Sequence, residues 1–360
     1  MEIIGIKAIP INIPLKQPFK LAYGTHLEYR GVILVIKTDS EIYGIGEASP
    51  SPKITGETQD TAIDVMEDKI KPLLIGKNPL NIEKITDELD SEFSGNTSAK
   101  CAVDIALWDI LGKVSRLPLK DLLGGGGDSI ETSITIGIKP IDNTIKEADE
   151  LVENGAKILK IKIGLNPKED VDKIKELRNT IGYTPTIRVD ANQGYTVKEA
   201  IWVGRKLEPC DIEFIEQPVK FYDYRGMKCV RDTIDIPVMA DESIHSLQDT
   251  IRAIREDICD LINIKLMKSG GIKNAIKIAA AAGGAGIKCM LGCMSETKIA
   301  ITAGTHLAIA TENIRYADLD GHLELEKEIV DGGVITERGE NRISEKEGLG
   351  LTLKSCIETE

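Results

Sequence analysis

The feature that most constrains the fold is a repeated alternation of short apolar runs with amphipathic helical stretches, beginning near residue 131. This alternation is typical of parallel βαβ units, and eight units close into a (β/α) barrel. An open, doubly wound sheet is the alternative, but the glycine-rich first turn of that fold is missing. The eight predicted strands are Ser133–Gly137, Leu159–Ile163, Thr186–Val189, Ile212–Ile215, Pro237–Ala240, Leu261–Ile264, Ile287–Leu291 and Ile314–Ala317.

The residues before and after this repeat follow other patterns. We predict strands over 3–12, over 31–37 and around Gly44 and Gly46, and helices over 58–75, 81–93 and 97–115. The four-glycine run from Gly124 to Gly127 favours a linker. The chain is therefore divided into an α+β domain over 1–125, the barrel over 126–320, and a segment over 321–360 that returns to the first domain.

Polar residues follow the predicted strands at a regular interval. The steps from Lys162 to Asp190, to Glu216, to Asp241 and to Lys265 are 28, 26, 25 and 24 residues, about one βα unit each. These side chains should converge at the carboxyl ends of the strands, where barrel enzymes keep their active sites. Further polar residues at strand ends are Lys160, Asn192, Glu242, Lys268, Asp318 and Asp320.

Asp190, Glu216 and Asp241 form a predicted ring of three carboxylates. Their charges repel unless a cation neutralises them, and oxygen ligands without His or Cys favour Mg²⁺ over Zn²⁺, with Mn²⁺ a second candidate. Three solvated loop carboxylates are the alternative. The repetition over three consecutive units argues against it.

Lys160 and Lys162 lie two residues apart on one strand, so both point to the same side of it. Burying ammonium groups is costly unless they are paired or used, and mutual repulsion predicts a lowered pKa for one of them. Lys265 should lie across the ring. One lysine could then remove a proton next to a carboxylate, and the other could return a proton on the opposite face. We expect Lys268 on the surface of the next turn or behind the site.

Composition excludes several other classes. The 45 basic and 58 acidic residues give a net charge of −13, which disfavours binding to nucleic acid or to an anionic membrane. No apolar run reaches about 18 residues and no signal peptide is recognisable. Seven scattered cysteines without a CxxC pair indicate a cytoplasmic protein.

Five motifs together resemble the enolase superfamily, in its muconate-lactonising subgroup. The resemblance implies a modified (β/α)7β barrel with an N-terminal α+β capping domain. It also implies that Asp190, Glu216 and Asp241 bind Mg²⁺, that Lys162 and Lys265 are the acid/base catalysts, and that Lys160 steadies an enolate. The motifs are Lys160-Ile161-Lys162, Asp190-Ala191-Asn192-Gln193-Gly194, Ile215-Glu216-Gln217-Pro218, Met239-Ala240-Asp241-Glu242-Ser243, and the run from Asn263 to Gly271.

Asp318-Leu319-Asp320 resembles the Asp-x-Asp of dipeptide epimerases within that subgroup, where two carboxylates hold the substrate ammonium. A loop cap is the alternative reading of Asp318. The resemblance implies Mg²⁺-dependent inversion of the second α-carbon of an L-Ala-L-X dipeptide. Relatives that act on Ala-Glu carry an Arg where Gly24 aligns, so X is expected to be apolar or aromatic and to meet Tyr23. Lys20 and His26 are the cations that could still pair with an acidic side chain at X. Thr135, Met294 and Ser295 should also touch substrate.

Three alternatives stay open at this point. An N-acylamino acid racemase or a cycloisomerase would keep the fold and lack a substrate ammonium. A Schiff-base aldolase could use Lys162 or Lys265, but it leaves the carboxylate ring unexplained. A non-catalytic metal-binding scaffold is the third. Assembly into a homo-oligomer, which is common in the family, is compatible with the sequence.

Overall fold

The first domain of the computed structural model, which describes residues 1–355, is an antiparallel sheet covered by helices. Its strands are β1 (Ile3–Leu21), β2 (Gly24–Thr38) and β3 (Tyr43–Ala48), in that order. Its helices are α1 (Gln59–Val65), a π-helical turn (Met66–Ile70), α2 (Lys71–Leu74), α3 (Ile82–Glu92), α4 (Thr97–Ser115) and α5 (Leu119–Leu122). Helix α4 lies so close to β3 that a Cβ at Gly46 would sit 1.8 Å from Ala102 O. Glycine is therefore required there.

The hairpin of β1 and β2 is longer than predicted and reaches the barrel. The predicted strand over 3–12 continues to Leu21, although the segment contains Pro10, Pro14 and Pro18. Proline is tolerated because β1 is the edge strand. Pro14 O accepts a hydrogen bond from Glu326 N (3.0 Å), and Lys20 O accepts one from Ile138 N (2.8 Å). The distal arm of the hairpin, residues 13–30, is thereby fixed over one end of the barrel.

The barrel contains eight parallel strands, as predicted. After the short strand β4 (Ser129–Glu131), they are β5 (Ile134–Ile136), β6 (Ile158–Lys162), β7 (Thr186–Asp190), β8 (Ile212–Glu216), β9 (Val238–Ala240), β10 (Leu261–Lys265), β11 (Lys288–Gly292) and β12 (Ile314–Asp318). They follow one another in chain order from β5 to β12. Ser133 N donates to Ala317 O at 3.1 Å and joins the two ends of the sheet. The modified barrel is confirmed.

Seven helices connect consecutive barrel strands, which is the (β/α)7β arrangement. They are α6 (Ile141–Glu153), α7 (Pro167–Ile181), α8 (Val197–Leu207), α9 (Tyr224–Arg231), α10 (Leu247–Glu256), α12 (Ile272–Gly284) and α13 (Lys298–Ala310), with the short α11 (Leu266–Ser269) before α12 and a 3₁₀ turn at Glu208–Cys210. Side-chain caps determine where helices such as α8 begin. Thr196 and Glu199 form a capping box at the N-terminus of α8. Within residues 1–355, no helix combines the length and the apolar character that crossing a membrane requires.

The segment after β12 contacts both parts of the molecule. It contains a 3₁₀ turn (Gly321–Glu324) and the strands β13 (Val330–Gly332), β14 (Ile335–Glu337), β15 (Glu340–Arg342) and β16 (Leu351–Leu353). Strand β15 pairs with β4, the short strand that precedes the first barrel strand. In the first domain, Gly348 O accepts a hydrogen bond from Leu119 N at 2.9 Å. The domain limits at residues 125 and 320 remain predictions, and residues 356–360 lie outside the described part of the tail.

Candidate active site

Strand register brings the predicted site residues to one end of the barrel. Lys162 pairs with Asp190, and Asp190 pairs with Glu216, across β6, β7 and β8. Asp241 follows β9 directly and Lys265 ends β10. Residues that end adjacent parallel strands in register must face the same mouth, and the regular sequence interval has this physical cause.

Asp190, Glu216 and Asp241 are fully buried, and each offers an oxygen within 4.8 Å of the others. Burial and the Asp190 charge raise the pKa of Glu216 to about 8. Three carboxylates packed this closely need positive charge. An oxygen-only set of this size fits Mg²⁺ or Mn²⁺. The three carboxylates are the residues that would hold the ion.

Three lysines approach the carboxylate ring from different sides. Lys162 Nζ lies 2.6 Å from Asp190 Oδ2, and Lys265 Nζ lies 2.9 Å from Asp241 Oδ2. Lys160 Nζ lies 2.9 Å from Glu216 Oε2 and 3.2 Å from Asp190 Oδ2. Lys162 and Lys265 therefore pair with different carboxylates of the ring.

The expected lowering of a lysine pKa by Lys160–Lys162 repulsion is wrong for Lys160. Burial lowers the pKa of Lys160, but Asp318, Glu216 and Asp190 outweigh burial and hold it well above its usual value. Burial likewise lowers the pKa of Lys265, but Asp241, Glu216 and Glu242 together outweigh burial and hold that pKa well above its usual value. Buried carboxylates at 2.7 to 3.2 Å stabilise both ammonium groups more than repulsion between the lysines destabilises them.

Lys268 is a buried partner of the ring, so its placement on the surface is excluded. Its Nζ lies 2.6 Å from Asp241 Oδ1 and 3.2 Å from Asn263 O, and it also donates to the main-chain oxygen of Asp241. Asn263 Nδ2 in turn donates to Glu216 Oε1 at 2.8 Å. These contacts fix the orientation of two of the three carboxylates.

Asp318 and Asp320 differ in their charge partners. Asp318 Oδ2 lies 2.7 Å from Lys160 Nζ, and Asp318 Oδ1 accepts from Ser133 Oγ (2.6 Å) and Thr135 Oγ1 (3.2 Å). Asp320 Oδ2 accepts from Thr135 N at 2.6 Å, and among residues 1–355 it has no ion pair. Burial, and then the charge of Asp318, raise the pKa of Asp320 to about 7. Of these two carboxylates, Asp320 is therefore the one that no cation among residues 1–355 neutralises.

One cavity connects these groups. It lies under the distal arm of the hairpin, and Lys162 and Lys265 are the only cations among its lining residues. Most of the predicted substrate contacts border it, whereas Gly24 is exposed and lies outside the lining. The prediction that Gly24 touches substrate is therefore not supported by its position. The lining residues are Leu15, Phe19, Leu21, Tyr23, Thr135, Lys162, Asn192, Lys265, Cys293, Met294, Ser295, Asp318, Asp320, Gly321 and Glu324.

Three polar residues near this cavity escaped the sequence analysis. Ser133 lies two positions before Thr135, directly before β5, and that spacing was the available signal. Lys53 Nζ donates to Tyr23 O and lies 5.4 Å from the centre of the Tyr23 ring, and no local pattern marks it. Glu324 comes from the turn after β12, which lies outside the repeat. Neither Lys20 nor His26, the two cations considered for an acidic substrate, is among the lining residues.

A larger cavity, of about 800 Å³, opens at the opposite end of the barrel. Arg188 lies in its wall but is already held by Glu213 Oε2 (2.6 Å) and Ala317 O (2.9 Å). Lys157 and Glu131, also in this wall, form a pair at 2.5 Å. The charged residues named in this wall are therefore already paired with one another. We accordingly assign the reactive groups to the carboxyl ends of the strands.

Comparison with known proteins agrees with the fold. The Clostridium acetobutylicum protein named L-Ala-D/L-Glu epimerase is 42% identical over 343 residues, which are 95% of this chain and 96% of that protein. The N-succinyl-L-Arg/Lys racemase of Bacillus cereus is 36% identical, covering 98% and 96%. The crystal structure of an Enterococcus faecalis dipeptide epimerase complexed with Mg and L-Leu-L-Tyr matches with a TM-score of 0.94 at 40% identity, covering 98% and 100%.

Two family models match most of the chain. Residues 3–124 match the mandelate racemase / muconate lactonizing enzyme N-terminal domain, and residues 143–356 match the enolase C-terminal domain-like model. The two matches stand in the chain order that the resemblance implied. The chain belongs to the enolase superfamily, in its mandelate racemase / muconate lactonizing enzyme family.

Proposed function

We propose that the protein is a dipeptide epimerase, which inverts the α-carbon of the second residue of its substrate by moving a proton from one face to the other. The observation that supports this most is that Lys162 and Lys265 pair with different carboxylates of the ring, Asp190 and Asp241, and line the wall of the same cavity. An α-carbon between the two amines would lose its proton to one lysine and gain a proton from the other. Relatives named dipeptide epimerases support the proposal.

The other groups then have defined tasks. Asp190, Glu216 and Asp241 would hold a divalent ion, which would supply positive charge to the substrate carboxylate. Lys160, buried beside Glu216 and Asp190, adds further positive charge where negative charge develops. Asp320 pairs with the substrate ammonium, whose desolvation requires a counter-charge. Thr135 holds Asp320 through its main-chain N–H, and its hydroxyl donates to Asp318.

The second residue of the substrate is proposed to be apolar or aromatic. The lining offers Tyr23, Leu21 and Met294, and its two cations are needed for proton transfer. The absence of a third cation among the described lining residues leaves nothing to pair with an acidic side chain. Lys53, tied to Tyr23 O, is the nearest described cation to the Gly24 turn. Preferential turnover of a second-position Glu would refute the proposal, and loss of that turnover in Lys53→Met would identify the reason.

The activity is tested with matched pairs of substrates, L-Ala-L-Leu against N-acetyl-L-leucine and L-Ala-L-Tyr against N-acetyl-L-tyrosine, by chiral chromatography. We expect epimerisation of the dipeptides only. Asp320→Asn should lower their kcat/KM by about 10- to 100-fold, because a hydrogen bond to a charged group is lost. Faster turnover of the N-acyl compounds, unchanged in Asp320→Asn, would favour an N-acylamino acid racemase instead.

The pH dependence of KM gives an independent readout. Because the pKa of Asp320 is about 7, this carboxyl is protonated and uncharged below that pH and ionised above it. The substrate ammonium stays charged up to about pH 8. We therefore expect the KM of a dipeptide to fall as the pH rises through 7, and this fall should disappear in Asp320→Asn.

A further inference from the structure

The cavity that holds Asp320 contains a second acidic residue that has no ion pair among residues 1–355. Glu324 ends the 3₁₀ turn that follows β12, and its side chain is half-buried in the cavity wall. Among residues 1–355, its carboxylate has neither a hydrogen bond nor an ion pair. Burial and the charge of Glu147 raise the pKa of Glu324, and Lys139 and Lys16 oppose that rise. Lys139 pairs with Glu147, and Lys16 Nζ donates to Leu323 O at 2.7 Å, so neither cation pairs with Glu324.

Two carboxylates in this part of the cavity wall lack an ion pair among residues 1–355. Lys160 pairs with Asp318 at 2.7 Å, whereas Asp320 and Glu324 pair with no described cation. A dipeptide whose first residue has an uncharged side chain brings one ammonium. A first residue with a cationic side chain brings two positive charges, one for each carboxylate.

The shape of the wall beside Glu324 supports the same assignment. Leu15 and Phe19, from the distal arm of the hairpin, line the cavity together with Glu324. Apolar walls that end in a carboxylate match a side chain with a methylene stem and a charged head, as in lysine and arginine. An alanine side chain would leave both the walls and the carboxylate without contacts.

We propose that Glu324 determines specificity for the first residue of the dipeptide, selecting a long cationic side chain over an uncharged one of the same length. This inference rests on the proposed epimerase function and replaces the L-Ala expected from the sequence. Thr135 holds Asp320 at the α-ammonium position, and Glu324 reads the side chain.

The test compares L-Lys-L-Leu with L-norleucine-L-Leu, two dipeptides that differ by one ammonium. Wild-type protein should epimerise the lysine dipeptide with a kcat/KM about 10- to 100-fold higher, as expected for one charged hydrogen bond. Glu324→Gln should bring the two values within about twofold by lowering the lysine value alone. Glu326→Gln is the matched control, because Glu326 is exposed and lies outside the cavity wall. It should behave as wild type.

The outcomes separate this inference from the function on which it rests. Equal kcat/KM values for both dipeptides in wild-type protein would overturn the role of Glu324 and keep the epimerase, and this comparison needs no variant. An equal loss for both substrates in Glu324→Gln would also overturn it, because the carboxylate would then serve the α-ammonium or the shape of the wall. No epimerisation of either compound, or of the alanine dipeptides, would overturn the epimerase and the inference together.

Discussion

Replacing Lys162 with methionine is expected to lower epimerisation by about 10²–10⁴-fold while sparing α-proton exchange in one of the two diastereomers. Each lysine serves one face of the α-carbon, so Lys265 can still remove and return a proton on its own side. Lys265→Met should show the opposite preference. The measurement is deuterium incorporation from D₂O into separated L,L and L,D dipeptides, followed by mass spectrometry.

Lys288→Met is the matched control for these two variants. Lys288 is exposed and begins β11, at the opposite end of the barrel from Lys265. It should retain the rate and the isotope pattern of the wild type. If Lys162→Met and Lys265→Met both lose exchange with both diastereomers, the two-sided arrangement is contradicted, because the lysines would then act as a unit on one face.

Removing divalent ions with a chelator is expected to lower kcat/KM by about 10³-fold or more, because charge stabilisation by an ion contributes several kcal/mol. Without an ion, two of the three carboxylates stay paired with the lysines, with Lys162 Nζ 2.6 Å from Asp190 and Lys265 Nζ 2.9 Å from Asp241. Adding Mg²⁺ or Mn²⁺ should restore activity.

Asp190→Asn tests the same site without relying on turnover. An ion that binds only the folded protein raises the melting temperature, and the rise depends on its concentration. We expect Mg²⁺ to raise the melting temperature of the chelated wild-type protein and to have a much smaller effect on Asp190→Asn. Asp331→Asn, exposed in β13, should respond like wild type. An equal rise in all three proteins would place the ion elsewhere.

The barrel and the ring at its mouth were predictable because periodicity and register coincide. A side chain that ends one parallel strand recurs one βα unit later, so Lys162, Asp190 and Glu216 had to become neighbours. Sequence alone could place these residues on one face without any knowledge of the helices between them.

The features of the fold and site that could not be predicted depend on contacts between distant parts of the chain. The distal arm of the hairpin looked irregular because its prolines interrupt the alternation, and contacts with Ile138 and Glu326 fix it. Glu324 lies in a turn without periodicity, and Lys53 lies in a loop that contacts Tyr23. No local pattern therefore predicts where either side chain lies. The pKa of Lys160 required the positions of three carboxylates on other strands.

The most direct test of two-sided proton transfer is the isotope content of the first product formed by the wild-type protein in D₂O. An L,L dipeptide of apolar second residue, with Mg²⁺ present, is followed to a few per cent conversion. If one lysine removes the proton and the other delivers one from solvent, essentially every L,D product molecule carries deuterium at the second α-carbon. Product that retains the substrate protium would mean that a single group carries the proton across, and this would contradict the assigned roles of Lys162 and Lys265.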